Sequence, residues 1–197
     1  SSLYEMQSLL HNPGTAGLFQ DNMIGASYRS QWSGISGSPR TATVFGSYNL
    51  KKENAGISGY LFTDKTGPTS RTGLSASFAK HLKMKDGSVW SVGIEARALQ
   101  FGIDRAKLSA TLGADPALGN AENRFKFDAG LGVAYQKNNL RLGASVSQLV
   151  QSKLGFYNGT TTLAEEARLY RHYYFHGSYS WNVDESTEIT PNFLVIY

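Results

Sequence analysis

No cysteine occurs among the 197 residues of the chain. Disulfides, thiolate metal sites and a cysteine nucleophile are therefore excluded together. Charged residues are scarce as well, at 17% of the sequence, against roughly 25% in soluble domains. The formal charge of +4 is spread along the chain without a cluster, so no nucleic-acid partner is expected. No apolar run approaches the ~18 to 20 residues that a membrane helix needs. An initiator Met and a charged-then-apolar leader are also missing. A processed or trimmed start is expected, with any signal peptide out of sight. What the chain does have is 12% aromatic residues and 21 glycines, a composition that excludes disorder. Mean hydropathy is nonetheless −0.31.

Period-two alternation runs through most of the sequence, and helical periodicity is hard to find. Within 23–32, Ile24, Ala26, Tyr28 and Trp32 share one face, and Gly25, Ser27, Arg29 and Gln31 share the other. Within 41–50, Ala42, Val44, Gly46, Tyr48 and Leu50 stand against Thr41, Thr43, Ser47 and Asn49. The pattern recurs over 54–63, 72–82, 89–101, 125–136, 140–150, 171–181 and 187–197. Nine strands of about ten residues are predicted. Globular strands usually run about five or six residues, whereas a tilted transmembrane strand needs about nine to eleven.

The segments between these strands are 33–40, 51–53, 64–71, 83–88, 102–124, 137–139, 151–170 and 182–186. Their lengths alternate between long and short, which in an up-and-down sheet collects the long loops on one edge and the tight turns on the other. Outer-membrane barrels have this arrangement, with short periplasmic turns and long external loops. One predicted face is apolar, including Ile24, Val44, Ile57, Leu61, Leu74, Val92, Ile94, Leu131, Val133 and Leu142. Aromatics end that band: Trp32, Phe127 and Tyr173 on the long-loop side, and Tyr48, Trp90, Tyr135 and Trp181 on the short-turn side. Such girdles fit the two headgroup levels of a bilayer. The opposite face carries Arg29, His81, Glu95, Arg97, Lys126, Asp128, Arg141, His172 and His176 among small residues. Charges of both signs there point to an occluded lumen rather than an open pore.

The expected fold is all-β, an antiparallel up-and-down transmembrane β-barrel, with outer-membrane lipid as its surroundings. A soluble β-sandwich with one wet face is the alternative. Residues 1–22 form an N-terminal periplasmic segment or plug, with Leu10, Asn12, Pro13 and Gly17 as its candidate residues, and 23–197 form the barrel. Bacterial barrels usually have an even strand number. At least ten strands are therefore expected in the complete protein, and this chain is expected to be incomplete at its C-terminus.

Several short stretches resemble the PorP/SprF family of type IX secretion outer-membrane proteins of Bacteroidetes. Leu10-His11-Asn12-Pro13-Gly14-Thr15-Ala16-Gly17 is similar to that family's opening NPAYAG motif, departing from it at Gly14 and Thr15. Arg29-Ser30-Gln31-Trp32-Ser33-Gly34, then Gly37, Pro39 and Thr41, resembles its RxQWxGxxGxPxT segment. Asp64 to Thr69, with Thr72-Gly73, resembles its DxxGPTxxTG loop. Asp115-Pro116 and Arg171-His172-Tyr173 match its DP and RHY elements in order. The resemblance implies a non-enzymatic accessory of secretion and gliding. It further implies, as partners, a secreted surface adhesin with a type B C-terminal domain and periplasmic lipoproteins of the machinery.

Topology and resemblance together make the long-loop edge the candidate cargo contact. Its residues are Gln31, Trp32, Gly34, Gly37, Pro39, Arg40, Asp64, Gly67, Pro68 and Thr69. The alternative is that these loops fold inward and cap the barrel. No catalytic, cofactor or metal residues are expected. His172 and His176 share a strand face without a third ligand, and no Ser, His and acid arrangement is identifiable. Gly130-x-Gly132 sits inside a strand, is no dinucleotide loop, and is read as close strand packing. Glu165-Glu166 is a solvated face on a short helical turn over 163–170, and the sequon at Asn158-Gly159-Thr160 carries little weight. A porin-like channel or small-molecule transporter is the rival function.

Overall fold

The alternation folds into nine antiparallel strands joined in chain order. In the computed structural model, which describes residues 8–19, 22–104, 123–150, 170–184 and 187–197, the sheet curls into a half-barrel. Its strands are β1 (Asn22–Ser30), β2 (Arg40–Leu50), β3 (Ala55–Thr66), β4 (Thr69–Lys83), β5 (Val89–Ile103), β6 (Asn123–Lys137), β7 (Leu140–Ser147), β8 (His172–Tyr179) and β11 (Asn192–Ile196). A small hairpin of β9 (Trp181–Asn182) and β10 (Glu188–Ile189) extends the last pair. Among the described residues β1 and β11 are not paired to each other, so both are edges of an open sheet. The Asp115-Pro116 element, the 163–170 turn up to residue 169, and the sequon at 158–160 lie outside the described residues.

Burial along the central strands β4, β5 and β6 is the reverse of a soluble sheet. Ile94 is 57% exposed, while its neighbour Glu95 is 7% exposed. The outward row links strand to strand through Leu61 opposite Leu74, Phe78 opposite Ile94, and Ile94 opposite Leu131. All of these apolar side chains are exposed. The inward row runs instead through Ser75, Ser77, His81, Ser91 and Asp128, all buried. Large inward rings occur where the strand opposite has a glycine. Phe45 lies over its register partner Gly25, and Phe62 over Gly73.

Several boundaries differ from the sequence expectation. The segment 64–71 is not a long loop, because β3 and β4 continue until only Gly67 and Pro68 join them. Asp64 and Thr69 accordingly belong to strands. Gly67 takes φ +58° at the first turn position, as a type II′ hairpin requires, and Pro68 fixes the second. The alternation of connection lengths is broken there. Strands β4, β5 and β6 reach 15 residues each. Strand β7 stops at Ser147, where Gln148 turns to φ +59° and the Val150 N–H donates to Asp128 Oδ1 at 3.1 Å. The last two predicted strands are interrupted because Pro191 has no N–H for the ladder.

Gly67 tests the hairpin cleanly, since a Cβ there would meet no atom within 4 Å. Gly67→Val is expected to cost about 1–2 kcal/mol through backbone strain alone. The check is the urea midpoint of the folded, heat-modifiable band on gels.

Candidate functional site

The most heavily bonded part of the inner wall is the seat of the N-terminal segment. Asn12 caps a single 3-10 turn, Pro13–Thr15, by accepting the Gly14 N–H on Oδ1 at 2.8 Å. Proline suits the first turn because no partner is needed for its missing N–H. The Thr15 hydroxyl closes the turn by donating to the Asn12 carbonyl at 2.8 Å. With Oδ1 committed, the Asn12 Nδ2 donates to the Val133 carbonyl at 2.9 Å and meets His176 Nε2 at 2.9 Å. That nitrogen of His176 must therefore be the acceptor, which puts the ring proton on Nδ1.

Neighbouring bonds fasten the rest of the segment. Ser145 Oγ donates to the His11 carbonyl at 2.7 Å, and the Gly17 N–H donates to Ser47 Oγ at 2.8 Å. His81 Nε2 donates to the Ala16 carbonyl at 3.0 Å. The His11 ring stacks on Tyr174 at 4.8 Å, and Arg141 lies over the Phe19 ring at 5.1 Å. Leu9, Phe45 and Tyr60 form a small apolar cluster, with Leu10 against it. Burial, and then the positive charge of Arg97, push the His11 imidazole below its ordinary pKa, while Glu95 opposes them.

A row of small residues makes room for this segment. Gly56, Ala79, Gly93 and Gly132 stand side by side in register across β3, β4, β5 and β6. A Cβ on Gly56 would lie 2.0 Å from the Ala16 carbonyl oxygen, and one on Gly93 2.3 Å from the Pro13 carbonyl oxygen. On Gly132 it would lie 2.0 Å from Asn12 Oδ1. Gly132 is thus explained by the segment above it, which corrects the reading of close strand packing. Gly143, in the next row of β7, meets His176 and Asn12 in the same way.

Towards the long-loop edge the inner wall is charged. Glu95 Oε1 accepts from Tyr60 OH at 3.1 Å, from Arg97 Nη2 at 3.0 Å, and from Ser75 Oγ. Arg97 also reaches Oε2 at 3.0 Å and packs over the Tyr60 ring. This buried carboxylate is fully partnered. At the rim, the Gly67 N–H donates to the Gly37 carbonyl at 2.8 Å, so the 31–39 loop rests on the β3–β4 turn. Thr41 Oγ1 donates to Asp64 Oδ1 at 2.8 Å, and the Gln31 N–H to the Pro39 carbonyl at 3.0 Å.

The two loop motifs of the sequence therefore meet through Gly37 and Gly67. Arg40 starts β2 opposite Lys65, and Thr69 starts β4 opposite Thr66. Pro68 accepts the Asp104 N–H at 2.7 Å. Gly34 projects from the loop with nothing near its Cα hydrogen side. Trp32 is exposed, but it lies beyond β1 with φ +52° and has left the strand alternation. Of the other girdle residues, Tyr48, Trp90, Phe127, Tyr173 and Trp181 are exposed on the outward face, and Tyr135 packs under Trp90 at 4.8 Å. Sequence reasoning missed the Gly56, Ala79, Gly93 and Gly132 row. Its only signal was one small inward residue on each of four successive strands.

Substituting the seat is expected to release the segment while the sheet survives. Gly132→Val or Asn12→Ala should expose residues 8–19 to protease in detergent, Asn12→Ala by removing bonds worth about 1 kcal/mol each. Wild-type protection at neutral pH would be matched only if the seat were incidental. The same assay has a pH direction. Because His11 is held neutral, its contribution is complete above about pH 6.5, the unfolded value, and fades as pH falls towards its lowered folded value. Protease cleavage in the segment should therefore rise on acidification.

No curated protein and no solved structure matches this chain. The family model described as "Type IX secretion system membrane protein PorP/SprF" matches residues 1–197. Since that match runs along the whole sequence, over both the seated segment and the inverted sheet, the chain belongs to the PorP/SprF family of type IX secretion system membrane proteins.

Proposed function

We propose that this protein is an outer-membrane component of type IX secretion and gliding that binds a secreted adhesin bearing a type B C-terminal domain. In this reading it couples that cargo to the periplasmic machinery, including its lipoproteins. The observation that carries the membrane part is the inverted sheet. Outward Val92, Ile94 and Leu131 are exposed, and inward Ser91 and Glu95 are buried. A hydrocarbon surrounding stabilises that order, and the antiparallel ladder satisfies the backbone of the strands between the edges β1 and β11. Strands of 15 residues extend about 50 Å, more than a ~30 Å hydrocarbon layer needs. Their long-loop ends can therefore stand above it as a rim.

The rim residues Gln31, Trp32, Arg40 and Lys65 are the proposed cargo contact, held in shape by the Gly37 to Gly67 bond. The seated N-terminal segment acts as an inward plug in the short-turn half. Both roles favour an anchoring protein over the rival channel, because residues 8–19 occupy the inner wall where a pore would run.

Two measurements check this. Ile94→Arg on the outward row is expected to destabilise the protein in phospholipid vesicles by about 2–4 kcal/mol, whereas a soluble sandwich would tolerate it. Trp32→Ala with Arg40→Glu should lower capture of the adhesin domain without altering heat-modifiability. Undiminished capture by that folded variant, or large ungated single-channel conductance of the wild type, would reject the anchoring function.

A further inference from the structure

One row of the inner wall, just inside the rim, carries two arginines whose Nε groups no described residue answers. Arg71, Phe101 and Arg124 are successive register partners across β4, β5 and β6. Lys126 stands in the next row inward, opposite Leu99. The Arg71 guanidinium is held between two rings, 5.2 Å from the centre of Phe62 and 5.4 Å from that of Phe101. Its Nε and the Nε of Arg124 are both buried without a hydrogen-bond partner among the described residues. Native proteins seldom leave such donors unpaired, and each one asks for an acceptor.

Asp64, Glu95 and Asp128 each accept a hydrogen bond from another group. Asp64 is opposite Arg71 in register, yet its Oδ1 accepts from Thr41, and no ion pair joins the two among the described residues. Glu95 is held by Arg97, Tyr60 and Ser75. Asp128 accepts the Val150 N–H.

We propose that Arg71 and Arg124, flanking Phe101, form a carboxylate-binding site that takes an acidic segment of a polypeptide entering from the long-loop edge. A guanidinium presents a planar fork that matches a carboxylate with two parallel bonds. The two arginines stand two strand spacings apart, about 10 Å at the backbone, and side chains of that length can converge on one carboxylate or a close pair. Phe62 and Phe101 hold the Arg71 fork in place and offer apolar contact to the residue beside the acid. The site faces the inner wall, opposite the apolar row, which selects a peptide over a membrane lipid. It does not depend on whether the rim binds an adhesin.

The test uses the whole chain in nanodiscs and a fluorescein-labelled octapeptide rich in Glu, with its Gln counterpart as control. Saturable binding of the Glu peptide alone is expected. R71Q and R124Q should each weaken it at least about tenfold, as loss of a charge-assisted bond does. R71K/R124K should restore only part, since lysine lacks the fork. Heat-modifiable migration reports that each variant is folded. Should the Gln variants misfold, phenylglyoxal labelling of the wild type replaces them, with Arg71 and Arg124 protected by the Glu peptide. Equal binding of the Gln peptide, unchanged affinity in folded R71Q/R124Q, or no protection from phenylglyoxal would overturn the proposal. Full displacement of the peptide by equimolar inorganic phosphate would also overturn it, by revealing a site for simple anions.

Discussion

Asn12 is buried with both ends of its amide in use, and through it a short turn is tied to strands far along the chain. Its Nδ2 reaches Val133 and His176, 121 and 164 positions away, while Oδ1 organises its own turn. A side chain with such demands fixes what may stand around it. The strand beneath must be bare, which accounts for Gly132, and the ring beside it must accept, which sets the tautomer of His176. Pro13 and Ala16 extend the requirement to Gly93 and Gly56. Three strands thus owe the size of one inward residue to a segment outside the sheet.

The same segment helps to explain how an inner wall so poor in apolar residues holds together. Rows of serine and histidine would face water in an empty half-barrel. Here Ser47, His81 and Ser145 bond to backbone groups of residues 8–19, so the polarity of the wall is used rather than merely hydrated. Stability on the outward side has a different source, namely apolar cross-strand pairs such as Phe78 and Ile94 in contact with a hydrocarbon environment. The two faces are therefore solved by separate physics, and a one-residue slip of register would defeat both.

Much of this was readable from periodicity, because alternation survives translation into strands almost unchanged. All nine strands of the sheet fall on predicted ones, and Ile94 and Glu95 take the predicted faces. Prediction failed where a choice depended on tertiary partners. Asp64 to Thr72 contains Gly-Pro and several polar residues, which in isolation reads as a loop, yet the ladder with β2 and β5 carries β3 and β4 up to the Gly67-Pro68 turn. The break at Pro191 is hidden in the sequence because alternation continues on both sides of it. The glycine row was invisible for another reason. Glycine in a strand records only that something comes close, and not what it is.

Taken together, the two halves of the inner wall differ in kind. In the short-turn half, the wall is covered by residues 8–19, and Ser47, His81 and Ser145 bond to that segment's backbone, while the Ser91 hydroxyl has no partner among the described residues. In the long-loop half, Glu95 and Arg97 neutralise each other, while the row nearest the rim keeps Arg71 and Arg124 with Nε groups unpaired among the described residues. The difference lies in charge, because an unpaired donor on a guanidinium costs more than an unpaired hydroxyl. The asymmetry is intelligible if the covered half serves to hold the sheet in shape and the charged half serves to bind another molecule. The bond between Gly37 and Gly67 then gains a purpose, because it steadies the rim beside the start of β4, close to Arg71.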